Sequence, residues 1–562
     1  MGGNDLIAGG PLYGRRTDLG RLVWAFYYPW YRAADWSSPV MSDEPIVGSY
    51  ESSNATVIEK HIRMAKSAGI DGFIVSWCTD WCPSYNLDTI LDVASRENFK
   101  ISIYLESLQA EGWSGVPRTK ASLESMLLSF FQRYGTDDRY YRADGRPVIF
   151  VWAVDSQSIE TWQEIIGDLN HSGYKGFYMA ETSNVDYLQV FDGVHVYGPL
   201  MAFKDLTAGN RALSLSVASY SLLYPDPSAR KLWAATITPG YDERKLPERA
   251  GLLLPREDGG TYQRTFDAAL KSDPDWVLIT SFNEWWENTY IEPSVTYGWK
   301  YIDLTTVCSS EFKEVKFLPS LQVSRKVSIE GQEGKLNVAI ANTGNGSAIG
   351  VHAKDYALTG KESAESVDRM LPGDELQYAV TFKISADQVT LQLPPGEVTS
   401  MDAYGNNHHV TTRSVLQYKL AIVSSYGSAS GAGWYEANTT ALLSVSPTSV
   451  PVSGILGILG AKYVFDRWSG DIATISPNAT IVMNEPKTTI VLWHSDYTQP
   501  YAIVGIVSIL ILFAAAFHVR TRRSHRTDRE PPQEDSQENT QQAPWASKTT
   551  ARYELGLARN PS

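Results

Sequence analysis

A regular alternation of short apolar runs with amphipathic stretches, over residues 21–315, limits this chain to few folds. The intervening stretches carry apolar residues at helical spacing over 54–68, 120–134, 156–172 and 261–271, and the first begins at an N-cap residue, Asn54. Eight β/α units match a (β/α)8 barrel in number and length, and an open, doubly wound sheet is the alternative because periodicity does not show closure. The predicted strands are Leu22–Tyr28, Gly72–Trp77, Lys100–Leu105, Pro147–Trp152, Gly176–Ala180, Gly193–Tyr197, Leu232–Thr238 and Trp276–Thr280.

Aromatic and acidic residues follow most of these strands. In such a barrel, the residues at the carboxyl ends of the strands surround the active site. We find no phosphate-binding glycines after the late strands and no histidine cluster, so we expect no cofactor and no metal. The pattern favours an uncharged, polyhydroxylated ligand that stacks on aromatic rings. The strand-end residues are Tyr28, Trp30, Trp77, Glu106, Trp152, Asp155, Glu181, Tyr197, Tyr241 and Asp242.

The segment after the eighth strand, Ser281–Pro293, contains three carboxylates and four aromatic residues. Glu284 and Glu287 are three residues apart, so in a tightly turned segment their Cβ atoms would lie roughly 5–6 Å apart. Retaining glycosidases place two carboxyl groups about 5–5.5 Å apart, one to donate a proton and one to supply electrons. This interpretation requires the chain to turn after Ser281. A loop held by salt bridges, with aromatics filling the core, is the alternative.

Five segments together resemble glycoside hydrolase family 99, which contains endo-α-mannosidases and related bacterial proteins. They are FYYPWY, AGIDGFIVSW, YLE, TPGYD and FNEWWENTYIEP, in this order within roughly residues 20–300. The resemblance implies that Glu287 is the general acid/base and that Glu284 activates the sugar's own 2-hydroxyl. That hydroxyl would attack the anomeric carbon, form a 1,2-anhydro sugar and lead to retention of configuration. The resemblance also implies that Glu106 contacts sugar and that Tyr28, Trp30 and Tyr241 line the site.

Three positions in the last motif differ from the family pattern. Trp286, Asn288 and Tyr290 stand where family members usually have His, Gly and Gln. The resemblance therefore predicts the reaction class and leaves the sugar open. A non-catalytic glycan-binding surface protein and a polysaccharide-biosynthesis enzyme are the alternatives. The predicted catalytic residues are Glu284 and Glu287, and the predicted substrate-binding residues are Tyr28, Trp30, Trp77, Glu106, Tyr197, Tyr241, Asp242, Asn283, Trp286 and Tyr290.

The chain changes character after the predicted catalytic barrel of residues 21–315. Residues 316–413 alternate as an immunoglobulin-like β-sandwich would, and residues 414–497 predict a small β-rich surface module. These modules could bind glycan through Trp434 or Trp468, although a spacer with tryptophan in its core is favoured. The net charge of −14 argues against a nucleic-acid partner.

An uncharged apolar run predicts one transmembrane helix over residues 500–519, with membrane lipid as its partner. Arginines follow it at 520, 522 and 523, which places residues 520–562, a disordered tail, in the cytoplasm and the barrel outside. We therefore expect a single-pass protein of the cell membrane. Residues 1–20 form an extension without an apolar export signal, and we expect the true start to lie upstream.

The chain has three cysteines, which is too few for a disulfide framework. Cys78 and Cys82 could form a bridge in an oxidising compartment, but we favour buried thiols at both positions. Cys308 has no evident partner in the sequence.

Overall fold

The computed structural model describes residues 16–81, 86–111, 114–223, 226, 229–358, 360 and 362–524. The chain divides into two compact units, Met1–Tyr418 and Lys419–Ser562. The predicted tail beyond residue 524 and most of the predicted N-terminal extension lie outside the described residues. The finer boundaries predicted near 315 and 413 remain predictions.

Eight parallel strands form a closed barrel in the first unit. The sheet runs in the order β3-β2-β1-β8-β7-β6-β5-β4, and pairing of β3 with β4 closes it, with Ile103 opposite Ile149. The barrel prediction is confirmed and the open-sheet alternative is wrong. The strands are β1 Leu22–Tyr27, β2 Gly72–Trp77, β3 Lys100–Leu105, β4 Arg146–Val151, β5 Phe177–Glu181, β6 Gly193–His195, β7 Leu232–Ile237 and β8 Trp276–Ile279.

Helices connect most successive strands, and short polar residues set their starts. The Asn54 side chain accepts a hydrogen bond from the Thr56 amide at the start of α1, as predicted, and Thr119 and Ser158 cap α3 and α4. A 3₁₀ turn, Val185–Gln189, replaces the helix between β5 and β6. The helices are α1 Ala55–Ser67, α2 Asn86–Arg96, α3 Lys120–Tyr134, α4 Ile159–His171, α5 Leu206–Ser221, α6 Gly260–Leu270 and α7 Lys300–Lys313.

Large side chains fill the barrel interior beneath the strand ends. Trp24, Phe150 and Trp276 are fully buried there and contact one another through their rings. His195 is also fully buried, between Phe26 and Phe150, and burial lowers its pKa to about 3. Its imidazole is therefore neutral, and the interior is a packed floor rather than a channel.

Antiparallel sheets follow the barrel within the first unit. Strands β9, β10 and β13 form one sheet, and strands β12, β11, β15 and β16 form another. Burial alternates along β10 and β11, as expected for sheets with one covered face. The strands are β9 Leu321–Glu330, β10 Glu333–Asn342, β11 Ala348–Tyr356, β12 Glu362–Met370, β13 Glu375–Lys383, β14 Thr390–Leu393, β15 Glu397–Met401 and β16 Asn407–Thr411, followed by β17 Val415–Ser424, which continues into the second unit.

The second unit combines a small β module with one long apolar helix. The helix is long and apolar enough to cross a membrane over Thr498–Arg522. Trp468 is fully buried in β22, so it belongs to the module's core. The elements are β18 Ser428–Ser430, β19 Gly433–Glu436, β20 Thr440–Ser446, β21 Ser449–Pro451, α8 Ile455–Ile458, β22 Lys462–Gly470, β23 Asn478–Val482, β24 Lys487–Asp496 and α9 Thr498–Ser524.

The prediction of a free thiol at Cys78 is wrong. Cys78 directly follows β2 and is buried, but it is disulfide-bonded. Cys308 is a buried free thiol. Cys82 lies outside the described residues.

Candidate active site

A cavity of about 980 Å³ opens at the carboxyl ends of the barrel strands. Most strands contribute to its wall through the first residues after they end, which is the arrangement expected of this fold. Eight of the predicted site residues line it: Tyr28, Trp30, Glu106, Tyr197, Tyr241, Glu284, Trp286 and Glu287. Trp152 and Glu181, also noted at strand ends, line it as well, whereas Asp155 does not.

The loop after β8 folds back on itself. The Ser281 amide donates to the Thr289 carbonyl oxygen at 2.9 Å, and the Glu284 amide donates to Ser281 Oγ at 2.7 Å. Asn288 has a φ of 54°, in the left-handed region that asparagine tolerates better than most residues. The turn that the sequence interpretation required is present, and it brings Glu284 and Glu287 to the same cavity.

Glu284 lies at the buried end of the pair. Its Oε1 accepts hydrogen bonds from the Tyr31 hydroxyl at 3.2 Å and from the Trp286 amide at 3.0 Å. Burial raises the pKa of Glu284 well above its usual value, and the negative charge of Glu287 raises it further. The two hydrogen bonds oppose this shift but do not cancel it.

Glu287 lines the same cavity with a different set of partners. Its Oε1 accepts a hydrogen bond from the Tyr241 hydroxyl at 3.3 Å and lies 3.7 Å from Arg249 Nη1. Burial raises the pKa of Glu287, while the Arg249 charge and the Tyr241 hydrogen bond lower it. Because both pKa values are raised and the two charges repel, the pair keeps a proton to a higher pH than an ordinary glutamate does. Such a pair can act as an acid and a base together.

A third carboxyl group lies in the same cavity wall. Glu106 follows β3, is buried, and accepts a hydrogen bond from Ser76 Oγ at 2.6 Å. Burial raises its pKa to about 7, and the nearby Arg118 lowers it only partly. Glu106 can therefore donate or accept a hydrogen bond at neutral pH.

Aromatic side chains form much of the remaining wall. Trp30 and Trp286 stack face to face with ring centroids 5.1 Å apart, and Trp81 lies 5.6 Å from Trp30. The Tyr28 and Tyr197 hydroxyls are hydrogen-bonded at 2.7 Å. Flat rings beside hydroxyl and carboxyl groups suit a ligand with apolar C–H faces and polar edges.

Four predicted site residues do not line the cavity. Trp77 is buried against Phe130, with ring centroids 5.8 Å apart. The Asn283 side chain accepts a hydrogen bond from the Tyr28 amide at 2.7 Å and donates one to the Tyr28 carbonyl oxygen at 3.0 Å, which fixes the end of β1 to the loop. The other two are Asp242, which pairs with Arg244, and Tyr290, which stacks on Trp285.

Several cavity residues were not predicted, and four of them carry aromatic or charged side chains. Tyr104 lies one residue before the end of β3, and its orientation depends on the barrel's shear rather than on a motif. Trp81 follows β2, and its place after a strand with aromatic neighbours could have indicated it. Glu243 and Arg249 lie in the loop after β7, where the sequence offers no signal.

A buried network supports the loop from below. Glu292 accepts hydrogen bonds from Tyr50 at 2.9 Å and Trp285 Nε1 at 3.0 Å, and it lies 2.9 Å from His61 Nε2. His61 and Glu292 are fully buried, and Tyr27 contacts the other ring nitrogen of His61 at 3.0 Å. These contacts hold Trp285, one of the two residues between the cavity glutamates.

We predict that Glu292→Gln lowers the free energy of unfolding by about 1–3 kcal/mol, because the new amide group must face buried donors and leaves at least one unpaired. Chemical denaturation of the full chain measures this. Glu59→Gln, at an exposed position of α1, is the matched control and should change little. Equal stability of the two variants would contradict the role given to Glu292.

Comparison with known proteins agrees with this geometry. The family described as Glycosyl hydrolase family 99 matches residues 37–316. The chain is 25% identical over 337 residues to the glycoprotein endo-alpha-1,2-mannosidase of Rattus norvegicus. This match covers 49% of this chain and 69% of the rat protein. It is 27% identical over 287 residues to a glycoprotein endo-alpha-1,2-mannosidase-like protein of Danio rerio, and this match covers 46% of this chain and 61% of the Danio rerio protein.

A solved structure of a GH99 endo-alpha-mannosidase from Bacteroides thetaiotaomicron matches with a TM-score of 0.44 at 21% identity, covering 52% of this chain and 97% of that one. The family match spans the barrel from just after β1 to just past α7. The chain therefore belongs to glycosyl hydrolase family 99 through its barrel, and it is a glycoside hydrolase.

Proposed function

We propose that this protein is a membrane-anchored, retaining glycoside hydrolase that cleaves α-mannoside-type glycans. The observation that carries the proposal is the Glu284–Glu287 pair at the open end of the barrel, in a chain whose relatives bear the name endo-alpha-1,2-mannosidase. A protein that only binds glycan has no need of two neighbouring carboxyl groups with raised pKa values.

In the first step, Glu287 donates its proton to the glycosidic oxygen while Glu284 removes the proton from the neighbouring 2-hydroxyl. The freed O2 attacks the anomeric carbon, the bond to the leaving sugar breaks, and a 1,2-anhydro sugar forms. In the second step, water attacks the anomeric carbon and gives its proton to Glu287. Glu284 returns its proton to O2, and two inversions give net retention.

The electrostatics of the pair support these roles. Glu287 must be protonated before the reaction, and burial raises its pKa in that direction. Glu284 must take a proton from a weakly acidic hydroxyl, and a carboxylate with a raised pKa is the stronger base. Tyr31 and the Trp286 amide hold Glu284, so the base is oriented before the substrate binds.

The cavity wall supports a sugar substrate of more than one residue. Its volume of about 980 Å³ lies at the upper end of the roughly 300–1,000 Å³ usual for ligand sites. Trp30, Trp81 and Trp286 offer faces for stacking, and Glu106 offers a hydrogen bond to a hydroxyl. Trp286 replaces a histidine of the family pattern, so we propose that it changes which sugar is accepted.

The apolar helix α9 supports the membrane part of the proposal. Its residues from Tyr501 to Val519 are uncharged, and arginines follow them. This order places the barrel outside the cell and the C-terminal tail in the cytoplasm. Membrane lipid is then a partner through residues 500–519.

The test is product release by the full chain in detergent, on a panel of α-mannosides, α-glucosides and mannose-containing glycans. Proton NMR of the first product formed reports its anomeric configuration. We expect cleavage of an α-mannoside with retention. Binding without cleavage would indicate a glycan-binding protein, and a requirement for a nucleotide sugar would indicate a biosynthetic enzyme; either result would overturn the proposal.

We predict that the charge of Arg249 sets the position of one limb in the pH profile of activity. The active form needs Glu287 protonated and Glu284 ionised, so activity rises as Glu284 loses its proton and falls as Glu287 loses its own. Both pKa values are raised, so both limbs of the profile should lie above pH 4.5. Arg249→Gln removes a charge that favours ionised Glu287, and the alkaline limb should move up by about one pH unit.

The measurement is kcat/KM against pH for the wild-type and variant chains. Arg244→Gln is the control, because Arg244 pairs with Asp242 outside the cavity lining. A downward shift of the alkaline limb in Arg249→Gln would contradict the assignment of the acid to Glu287.

A further inference from the structure

A continuous apolar loop lies exposed on the surface of the small β module. Residues 454–461 read GILGILGA and contain no polar side chain; we call them the apolar tip. Ile455 and Ile458 are 76% and 86% exposed, and Leu456 is 48% exposed. Burying each such side chain away from water is favourable, so a surface that presents three together is suited to an apolar partner.

The backbone of the apolar tip is held by its own hydrogen bonds. It connects β21 to β22, and its Leu459 amide donates to the Ile455 carbonyl oxygen at 3.0 Å. The Ala461 amide donates to the Leu456 carbonyl oxygen at 2.8 Å. Because the backbone is already bonded internally, the exposed isoleucines are held outward without further ordering.

The tip lies beside the start of the apolar helix α9. Strand β22 pairs with β24, with Lys462 opposite Asp496, so the tip and the beginning of α9 leave the same end of the sheet. Gly460 packs directly against Gln499: a Cβ on this glycine would lie 2.1 Å from Gln499 Oε1. Its φ of 92° also favours glycine at this position.

This contact sets the depth of the tip along the helix axis. Gln499 precedes Tyr501 by two residues, which corresponds to about 3 Å of rise. Tyr501 begins the uncharged run, and its ring lies 6.2 Å from that of Tyr497. Tyrosines at the end of a spanning helix mark the membrane–water interface. Gly460, at one end of the tip, therefore lies within about one helical turn of the start of the apolar run.

We propose that the apolar tip inserts into the bilayer that α9 crosses, so that lipid acyl chains cover Ile455 and Ile458. The proposal rests on the membrane anchoring proposed above. Lipid is favoured over a second copy of the chain because the tip is continuous with an apolar span. Three aliphatic side chains are also far from the roughly 1,200 Å² that a stable protein interface buries. The tip and helix together would fix the module's orientation on the membrane.

The experiment uses the full chain in phosphatidylcholine vesicles, with a single cysteine labelled by the fluorophore NBD. Labels are placed in three separate variants: Ile458→Cys in the tip, Ile475→Cys as a matched control, and Leu510→Cys within α9. Ile475 is 80% exposed in the same module but follows the opposite end of β22. Vesicles with brominated acyl chains quench a label that contacts the hydrocarbon.

We expect quenching of at least twofold at positions 458 and 510 and none at 475. Quenching at 510 but not at 458 would overturn the tip insertion and leave the anchor intact. No quenching at 510 would overturn the anchor and the inference together. A change in NBD fluorescence at position 458 that depends on the protein-to-lipid ratio and not on bromination would also overturn the insertion of the tip. It would indicate contact between copies of the chain.

Discussion

Replacing Glu287 by Gln should lower kcat on an unactivated α-mannoside by about 10²–10⁴-fold, the usual contribution of a positioned general acid. The glutamine keeps the shape of the side chain and its contact with Tyr241, which donates to Glu287 Oε1 at 3.3 Å. It cannot give a proton to the leaving oxygen. Folding should be unchanged because Glu287 makes its side-chain contacts at the cavity wall, with Tyr241 and Arg249.

A change of leaving group distinguishes loss of an acid from loss of a binding contact. An α-mannosyl fluoride of the same glycan needs little protonation to leave, so the first step in Glu287→Gln should be much less impaired on this substrate. The comparison uses kcat for both substrates with wild-type and variant chains, and thermal unfolding as the control for folding. Equal losses on both substrates would contradict the role of Glu287 as the acid.

Replacing Glu284 by Gln should lower kcat by a similar or larger factor, on the fluoride and the unactivated glycoside alike. An amide cannot take the proton from the 2-hydroxyl, and both substrates need that hydroxyl as the nucleophile. Measuring kcat for the two substrates side by side checks this expectation.

The same mechanism predicts what the wild-type chain does with altered sugars. A substrate that lacks the 2-hydroxyl should not be cleaved, and a 2-deoxy-2-fluoro sugar should leave no covalent adduct. Mass spectrometry of the intact protein after incubation detects any such adduct. A glycosyl group attached to Glu284 would contradict participation of the 2-hydroxyl and would make Glu284 itself the nucleophile.

Local patterns in the sequence were sufficient to place the strands. Runs such as Gly72–Trp77 and Lys100–Leu105 begin and end in the structure where they were predicted, because a fully buried parallel strand needs a continuous apolar run bounded by polar residues. The strand ends then gave eight of the predicted cavity residues, since this fold gathers all carboxyl ends at one face.

The sequence was a poorer guide to which side chains near the predicted site face the cavity. Asn283 and Tyr290 stand beside the two glutamates in sequence, yet neither lines the cavity, because the Asn283 side chain bonds with the Tyr28 backbone and the Tyr290 hydroxyl donates to Asp43. Arg249 and Glu243 reach the cavity from a loop with no periodic pattern, so only long-range packing brings them to Glu287. The disulfide of Cys78 was likewise misjudged, because pairing depends on geometry and not on spacing alone.

By itself, the sequence determined the number of β/α units, the motif with its two glutamates and the apolar helix, because each depends on residues that are neighbours along the chain. The tertiary structure decided that the sheet closes, which side chains share the cavity and how strongly their pKa values are raised. The physical reason is that closure, burial and charge repulsion depend on distances in space. Glu284 illustrates both: its place in the motif is read from the sequence, and its raised pKa exists only because the folded barrel excludes water from it.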